Sequence, residues 1–213
     1  MKILLCAATE MEISPTIQYL SRQNQNKVEV VVTGVGLMTS TYAITKAISI
    51  HQPDYLLQAG IAGTLQPAQK LGEVVAIRSE VIGDMGVLEN NQFRSLFDLK
   101  LISSNLQPWT DGKLINEDAK LLEVGLPLCD SVTVNEISTD EQTIRYYRDE
   151  LKAQVESMEG AAFHYIALLE RIPFLQLRSI SNYIGERDKS KWDIKGAIAN
   201  LNHELQRILT NYL

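Results

Sequence analysis

Two cysteines and three histidines are all the soft metal ligands that 213 residues carry. Cys6 and Cys129 each sit inside an apolar, strand-like run with no partner at metal-binding spacing, so both read as reduced core thiols. His51, His164 and His203 are too scattered to form a metal site. Neither a metal nor any other cofactor is therefore expected. Long apolar runs are missing too: nowhere do about 18 apolar residues run together, which excludes a helical membrane span. The apolar run after Lys2 is too short for the core of a signal peptide, and the expected compartment is the cytoplasm. Cationic side chains are the scarcer sign, 20 Lys and Arg against 26 Asp and Glu. The resulting formal net charge of -6 argues against a nucleic-acid partner, whose phosphates demand a basic face.

An apolar fraction of 45% at this length supports one domain with a sizeable core rather than two small ones. Internal repeats, linkers and low-complexity stretches are absent, so a single domain over residues 1–213 is expected. Lys2 to Ala8 reads as a central parallel strand covered on both faces. Glu10 and Glu12 follow it, ahead of a helix expected to begin at Ser14-Pro15 from the spacing of Ile13, Ile17 and Leu20. The two acids are thus expected in the loop after the first strand, where ligands of open α/β sheets bind, although a solvated pair of acids fits the same residues. Val28 to Thr33 is a second strand, ending in Gly34-Val35-Gly36 before a helix over Leu37 to Ile50. This GxG lacks the third glycine of a dinucleotide fingerprint and suits a tight strand-to-helix turn with close backbone approach.

Tyr55 to Ala59 is a third strand that runs into a loop, Gly60-Ile61-Ala62-Gly63, whose small residues either pack tightly or admit a flat ligand to the backbone. Leu71 to Ile82 and Pro127 to Val134 are further strands, and a charged helix is expected near Thr139 to Glu150. Gly83 to Gly125 is the least regular part. It has turn signals at Gly83-Asp84, Asn90-Asn91, Pro108-Trp109 and Asp111-Gly112, and apolar anchors at Phe93, Leu96, Phe97 and Leu99. Trp192, Ile194, Ile198, Leu201, Leu205, Ile208 and Tyr212 recur at helical steps, the mark of a closing amphipathic helix.

The stretch Val155 to Asn182 organises the rest. A short β-type run ends in Glu156-Ser157-Met158-Glu159-Gly160, a helix follows, and the strand Pro173 to Ser181 delivers Asn182 at its end. As a right-handed crossover between parallel strands, this unit would bring Glu159 and Asn182 into one cleft. An acid in the first helical turn can simply complement the helix dipole. Met158, Gly160, Ala161 and Ala162 leave it little polar company, however, so Glu159 also reads as a carboxylate held dry, which needs a hydroxyl or a cation to bind.

Taken together, ATEME after the first strand, the GVG turn, AGIAG, SMEG and the strand end ISN, in that order, resemble the nucleoside phosphorylase and nucleosidase superfamily. The resemblance covers nearly the whole chain. It implies a three-layer α/β/α sandwich around a mixed, partly barrel-like sheet, and cleavage of a ribose-to-base N-glycosidic bond. It further implies that Glu159 binds the ribose 2′- and 3′-hydroxyls, that Met158 packs on the sugar, and that Ile61, Ala62 and Gly63 line the base site with Val134 and Asn135. Relatives commonly form homodimers, so a homodimer or higher homo-oligomer is implied as well.

Two positions then choose within the family. Phosphorylases carry a Gly-Asp-Pro-x-Arg type segment after the first strand, because a phosphate dianion needs backbone N–H groups and a guanidinium. Here that place reads AATEME, whose carboxylates would repel phosphate, and Glu12 matches the water-activating glutamate of the nucleosidases. Adenine-specific members have an aspartate where this chain has Asn182, and an amide, which offers both an N–H donor and a carbonyl acceptor, can satisfy a 6-oxopurine instead. The segments VIGDMGVLENNQF, SVTVN and ISNYIGERDKSKW resemble the futalosine hydrolase subfamily. The implied catalytic set is Glu12 as base, Glu159 as sugar clamp and Asn182 as partner of the departing purine. The long Gly83 to Gly125 region would hold the substrate's 5′ extension, with Arg94 or Arg187 as candidate cations for its carboxylate. A methylthioadenosine or S-adenosylhomocysteine nucleosidase, a phosphorylase, and a non-catalytic nucleoside-binding protein are the rival readings.

Overall fold

The computed structural model describes residues 1–23, 27–90 and 92–211. In chain order the first half comprises β1 (Ile3–Ala7), α1 (Glu10–Arg22), β2 (Val28–Val32), α2 (Leu37–His51), β3 (Tyr55–Thr64), β4 (Val74–Ile82), β5 (Gly86–Glu89), β6 (Gln92–Ser95) and β7 (Leu114–Ile115). Then come α3 (Lys120–Glu123), β8 (Leu128–Thr133), α4 (Glu141–Arg145) with a π-helical turn Tyr146–Glu150, β9 (Val155–Ser157), α5 (Gly160–Glu170), β10 (Phe174–Tyr183) and α6 (Ile194–Asn211).

The sheet order is β10-β4-β8-β9-β3-β1-β2, and β10 also pairs with β3. That extra pairing closes β10, β4, β8, β9 and β3 into a five-stranded barrel, from which β1 and β2 extend as an open wing. β1 is buried throughout and pairs parallel with β2 and β3, as its continuous apolar run requires. Alternate residues feed opposite layers. Leu5, Leu57 and Leu177 pack against Ile13 of α1 and Leu201 and Leu205 of α6, whereas Leu4, Cys6, Leu56 and Phe174 pack against Ile44 of α2 and Phe163 of α5. The result is the α/β/α sandwich with a mixed sheet that the motifs implied. Both thiols are buried, and desolvation pushes Cys6 up to about 12 and Cys129 to about 11. Among the described residues no helix is long and apolar enough to cross a membrane.

Several local expectations fail for identifiable reasons. α1 begins at Glu10, so Glu10 and Glu12 lie in a first helical turn and not in a loop, while Pro15 lies inside the helix. Glu12 Oε2 accepts from the Thr9 N–H at 2.9 Å and the Thr9 hydroxyl at 2.8 Å, and this local cap starts the helix ahead of Ser14-Pro15. Gly60-Ile61-Ala62-Gly63 is strand rather than loop, because β10 pairs alongside it from Phe174 to Tyr183. Gly83 to Gly125 holds the β5–β6 hairpin, β7 and α3, and Phe97, Trp109 and Tyr165 stack in series to tie it to α5. Trp192 precedes α6 instead of belonging to it. Asn91 and Tyr212 lie outside the described residues.

The largest departure concerns Val155 to Asn182. β9 runs antiparallel to β3, with Gly63 opposite Glu156, whereas β10 runs parallel to β3 on its other side. The two strands are therefore not a parallel crossover. Since β9 heads back along β3, the residues after it travel toward Gly60, away from the end where Asn182 sits beside Gly63.

Candidate active site

Glu12 is fixed through both of its oxygens. Thr9 holds Oε2, and Oε1 accepts the Ile61 N–H at 3.0 Å, which brings the start of α1 against the middle of β3. Asn202 of α6 secures the turn from behind, donating to the Glu12 carbonyl at 2.8 Å while its Oδ1 accepts from the Thr16 N–H at 3.0 Å and hydroxyl at 2.7 Å. Glu12 is 5% exposed.

Beside it stands Arg178 of β10, 1% exposed, with Nη2 donating to Gln58 Oε1 at 3.1 Å and Nη1 at 3.5 Å from Glu159 Oε2. Glu159 is the N-cap residue of α5, and its Oε1 accepts the Gly36 N–H at 3.1 Å. Gly34 and Gly36 have φ of 79° and 93°, left-handed values that carry the backbone into this approach, as the GVG turn suggested. Gly60 is the hub. A Cβ there would collide with Arg178 Nη1 and stand 3.0 Å from Glu12 Oε1, so one missing side chain lets two carboxylates and a guanidinium converge.

Under this cluster lies a second, wholly buried layer. Glu80 accepts from Gln176 Nε2 and Thr133 Oγ1, each at 2.9 Å, and a Cβ on Gly160 would collide with its Oε1. Burial pushes its pKa up to about 7 against the opposing pull of Gln176 and the Arg178 charge. His164 is driven down to about 3 by burial and is therefore neutral.

At the far end of β3, Asn182 Nδ2 is 3.2 Å from where a Cβ on Gly63 would be, and its Oδ1 accepts from Ser181 Oγ at 2.9 Å. Val134 is buried and donates its N–H to the Ser157 carbonyl at 3.0 Å. The exposed Asn135 is clamped by Asp84, which accepts from its N–H at 2.6 Å and from its side-chain amide at 3.1 Å. Met158, the residue before Glu159, is half-buried.

The structure thus gathers Glu12, Ile61 and Glu159 around Gly60, and Asn182 beside Gly63 with Ala62 between. The parallel crossover that was expected to join Glu159 and Asn182 is not formed, because β9 runs antiparallel to β3; Asn182 stands beside Gly63, and the chain after β9 runs toward Gly60. Sequence reasoning missed Arg178; its signal was an arginine inside the apolar run FLQLRSIS, where a charge must find a partner. Of the two candidate cations, Arg94 lines a cleft of about 920 Å³ with Phe93, Tyr146 and Tyr147. Arg187 instead stands over the Trp192 ring, 5.8 Å from its centre.

Residues 16–213 match the family model of the phosphorylase superfamily. The futalosine hydrolase of Thermus thermophilus is 31% identical over 83% of this chain and 79% of its own length. The 5′-methylthioadenosine/S-adenosylhomocysteine nucleosidase of Maridesulfovibrio salexigens is 25% identical over 81% and 75%. Among solved structures, a futalosine hydrolase mutant of Helicobacter pylori superposes with a TM-score of 0.83 at 17% identity, covering 98% of both chains, a likeness of fold alone. With a barrel of this topology and a family match across most of its length, the chain belongs to the phosphorylase superfamily.

Proposed function

We propose that the chain is a purine nucleosidase that hydrolyses the N-glycosidic bond of futalosine, releasing hypoxanthine and dehypoxanthine futalosine, in the futalosine route to menaquinone. The observation that carries this reading is the Glu12 carboxylate, pinned by Thr9 and Ile61 next to Arg178 and Glu159 around Gly60. A carboxylate in that position repels a phosphate nucleophile and suits deprotonation of water. The 31% identity to a futalosine hydrolase and the amide at position 182 support the 6-oxopurine substrate.

In the proposed reaction, water attacks the anomeric carbon and its proton passes to Glu12. The bond from that carbon to the purine nitrogen breaks, and the electron pair leaves with the base, which takes up a proton. Glu159 binds the ribose diol, strengthening its hydrogen bonds as oxocarbenium character develops. Arg178 holds Glu159 in orientation through their 3.5 Å pair. Asn182 hydrogen-bonds the departing purine, Met158 packs on the sugar, and Ile61 to Gly63 with Val134 and Asn135 line the base. The cleft bearing Arg94 takes the carboxylate of the 5′ extension. We further read the chain as one nucleosidase-type domain that works in the cytoplasm as a homodimer or higher homo-oligomer.

The test is chromatographic. Futalosine, aminofutalosine, inosine and methylthioadenosine are incubated with the protein, with and without phosphate. Hypoxanthine from futalosine, indifferent to phosphate, is the expected outcome. Adenine release from methylthioadenosine instead would replace the futalosine reading with the methylthioadenosine one, and phosphate dependence would overturn hydrolysis.

A further inference from the structure

Glu80, Gln176 and His164 form a fully buried row that takes no part in the chemistry above. Glu80 Oε1 is 2.9 Å from one end of the Gln176 amide, and the His164 ring lies within hydrogen-bonding reach of the same side chain. His164 Nδ1 is 3.1 Å from the Leu114 carbonyl, so in the neutral ring Nδ1 carries the proton and Nε2 can only accept. Yet Nε2 and Gln176 Oε1 are each buried with no hydrogen-bond partner in the protein. Two unpaired acceptors in one buried row are a cost that a single donor removes. The Gln176 amide is that donor, because its two ends have the same shape. Turned end for end, its N–H bonds His164 Nε2 and its carbonyl oxygen meets Glu80, which must then be the neutral acid and donate. Burial, which pushes Glu80 up to about 7, favours that state. An imidazolium beside an ionised Glu80 would also pair every atom, but burial of the ring and the charge of Arg178 both oppose it.

This row touches the site at two places. Thr133 Oγ1 donates to Glu80 Oε2 at 2.9 Å and accepts the Ala161 N–H at 2.8 Å, and a Cβ on Gly160 would collide with Glu80 Oε1 and crowd Gln176 Nε2. The first turn of α5, whose N-cap is Glu159, is therefore seated on Glu80. Arg178 stands two residues beyond Gln176 on the same face of β10 and pairs with Glu159. Around Glu80, β8 and β7 present the uncharged Ser131 and Leu114, β10 presents Gln176 and Arg178, and α5 brings Gly160 and, beyond Gln176, His164.

We propose that Glu80 is a positioning residue: as the neutral acid it closes a hydrogen-bond chain through Gln176 and His164 to the Leu114 carbonyl, which seats the start of α5 and leaves the charge of Arg178 to Glu159. Ionisation breaks the chain. The Gln176 amide turns to donate to Glu80, His164 Nε2 loses its donor, and a further carboxylate competes with Glu159 for Arg178. The role of Glu159 in this inference rests on the purine nucleosidase reading, whereas the chain itself does not.

Two measurements test it. In the first, kcat/KM for base release from futalosine is followed in wild type and Glu80→Gln from about pH 5.5 to about pH 8.5 and read as the ratio of the two proteins, which cancels every group they share. Glutamine at position 80 donates to Gln176 and accepts from Thr133 at every pH, as the neutral acid does. The two proteins should therefore be alike at the acid end, and wild type should fall about tenfold behind the variant as pH rises through about 7. A ratio that does not change with pH overturns the positioning role, since a merely structural substitution shifts it by a constant factor. The second measurement needs neither substrate nor a variant at position 80: nitrogen NMR of ring-labelled wild type, with His164 assigned by its loss in His164→Gln. The proton should stay on Nδ1, and the Nε2 signal should move as its donor is withdrawn on passing about pH 7. An imidazolium, a proton on Nε2 or an Nε2 signal indifferent to pH overturns the chain. A protein that releases no base from any nucleoside refutes the nucleosidase reading, and the ring then decides the chain by itself. Base release with a flat ratio refutes the Glu80 role alone.

Discussion

Replacing Glu80 by Gln should make the protein's stability less sensitive to pH between about 4.5 and 7, and the size of the effect follows from where Glu80 sits. It is fully buried, and desolvation lifts its pKa from 4.5 to about 7 despite hydrogen bonds from Gln176 and Thr133 and the nearby charge of Arg178. Each pKa unit is worth about 1.4 kcal/mol, so ionising this side chain costs the folded state about 3 kcal/mol. The folded pKa is raised, so Glu80's contribution to stability is fully present below the unfolded value and is lost as pH rises through about 7. His164 acts in the opposite sense, its folded pKa depressed to about 3, so its contribution is lost as pH falls. It is common to both proteins and cancels when they are compared. Urea midpoints followed by circular dichroism, at several pH values from about 4.5 to about 8, give the difference between wild type and Glu80→Gln. That difference should move by about 3 kcal/mol in favour of the variant as pH rises. A gap that stays constant across the range would mean that Glu80 titrates alike in the folded and unfolded chains, and the buried-carboxyl account would be wrong.

Glu12→Gln should lower kcat by about a hundredfold to ten-thousandfold while KM stays near wild type, and unchanged turnover would remove Glu12 as the base. Asn182→Asp should shift product formation from hypoxanthine toward adenine in a mixed-substrate assay, because a carboxylate accepts from a 6-amino group and repels a 6-oxygen; an unchanged ratio would take Asn182 out of base recognition. Gly60→Ala should cost about 1–3 kcal/mol in denaturation and most of the activity, since its Cβ would displace Arg178 Nη1 next to Glu12. A fully active Gly60→Ala would show that this close approach is dispensable.

What the sequence made legible was whatever is encoded locally. β1, β2, α2 and β8 follow from apolar runs and helical spacing, and α6 from a periodic face that buries Leu201, Leu205 and Ile208. The true start of α1 was also written locally, as Thr9 followed three residues later by Glu12, a stronger signal than Ser14-Pro15. The direction of β9 was not. Three residues carry no pattern that distinguishes parallel from antiparallel, and the choice is made by partners distant in sequence, Gly63 and Thr64. Nor could periodicity reveal Arg178 as a site residue, because its place in an apolar strand is explained only once Glu159 and Gln58 stand beside it.

That one strand direction reorganises the site. Had β9 run parallel to β10, Glu159 and Asn182 would have ended together, with sugar and base contacts crowded at a single strand end. Running antiparallel, it leaves Glu156 opposite Gly63 and heads toward Gly60, so that Ser157 and Met158 lead from the Gly63 end of this stretch of β3 to Glu159, which pairs with Arg178. Charged groups concentrate at one end, where Glu12, Arg178 and Glu159 share one missing side chain. The Asn182 amide occupies the other. On the proposed reading, the bond-breaking end and the base-reading end are separate constellations joined by rigid backbone. Exchanges at position 182 should therefore retune which purine leaves without disturbing the carboxylates and guanidinium around Gly60, a separation that local repacking at Gly63 and Ile184 would be the first to erode.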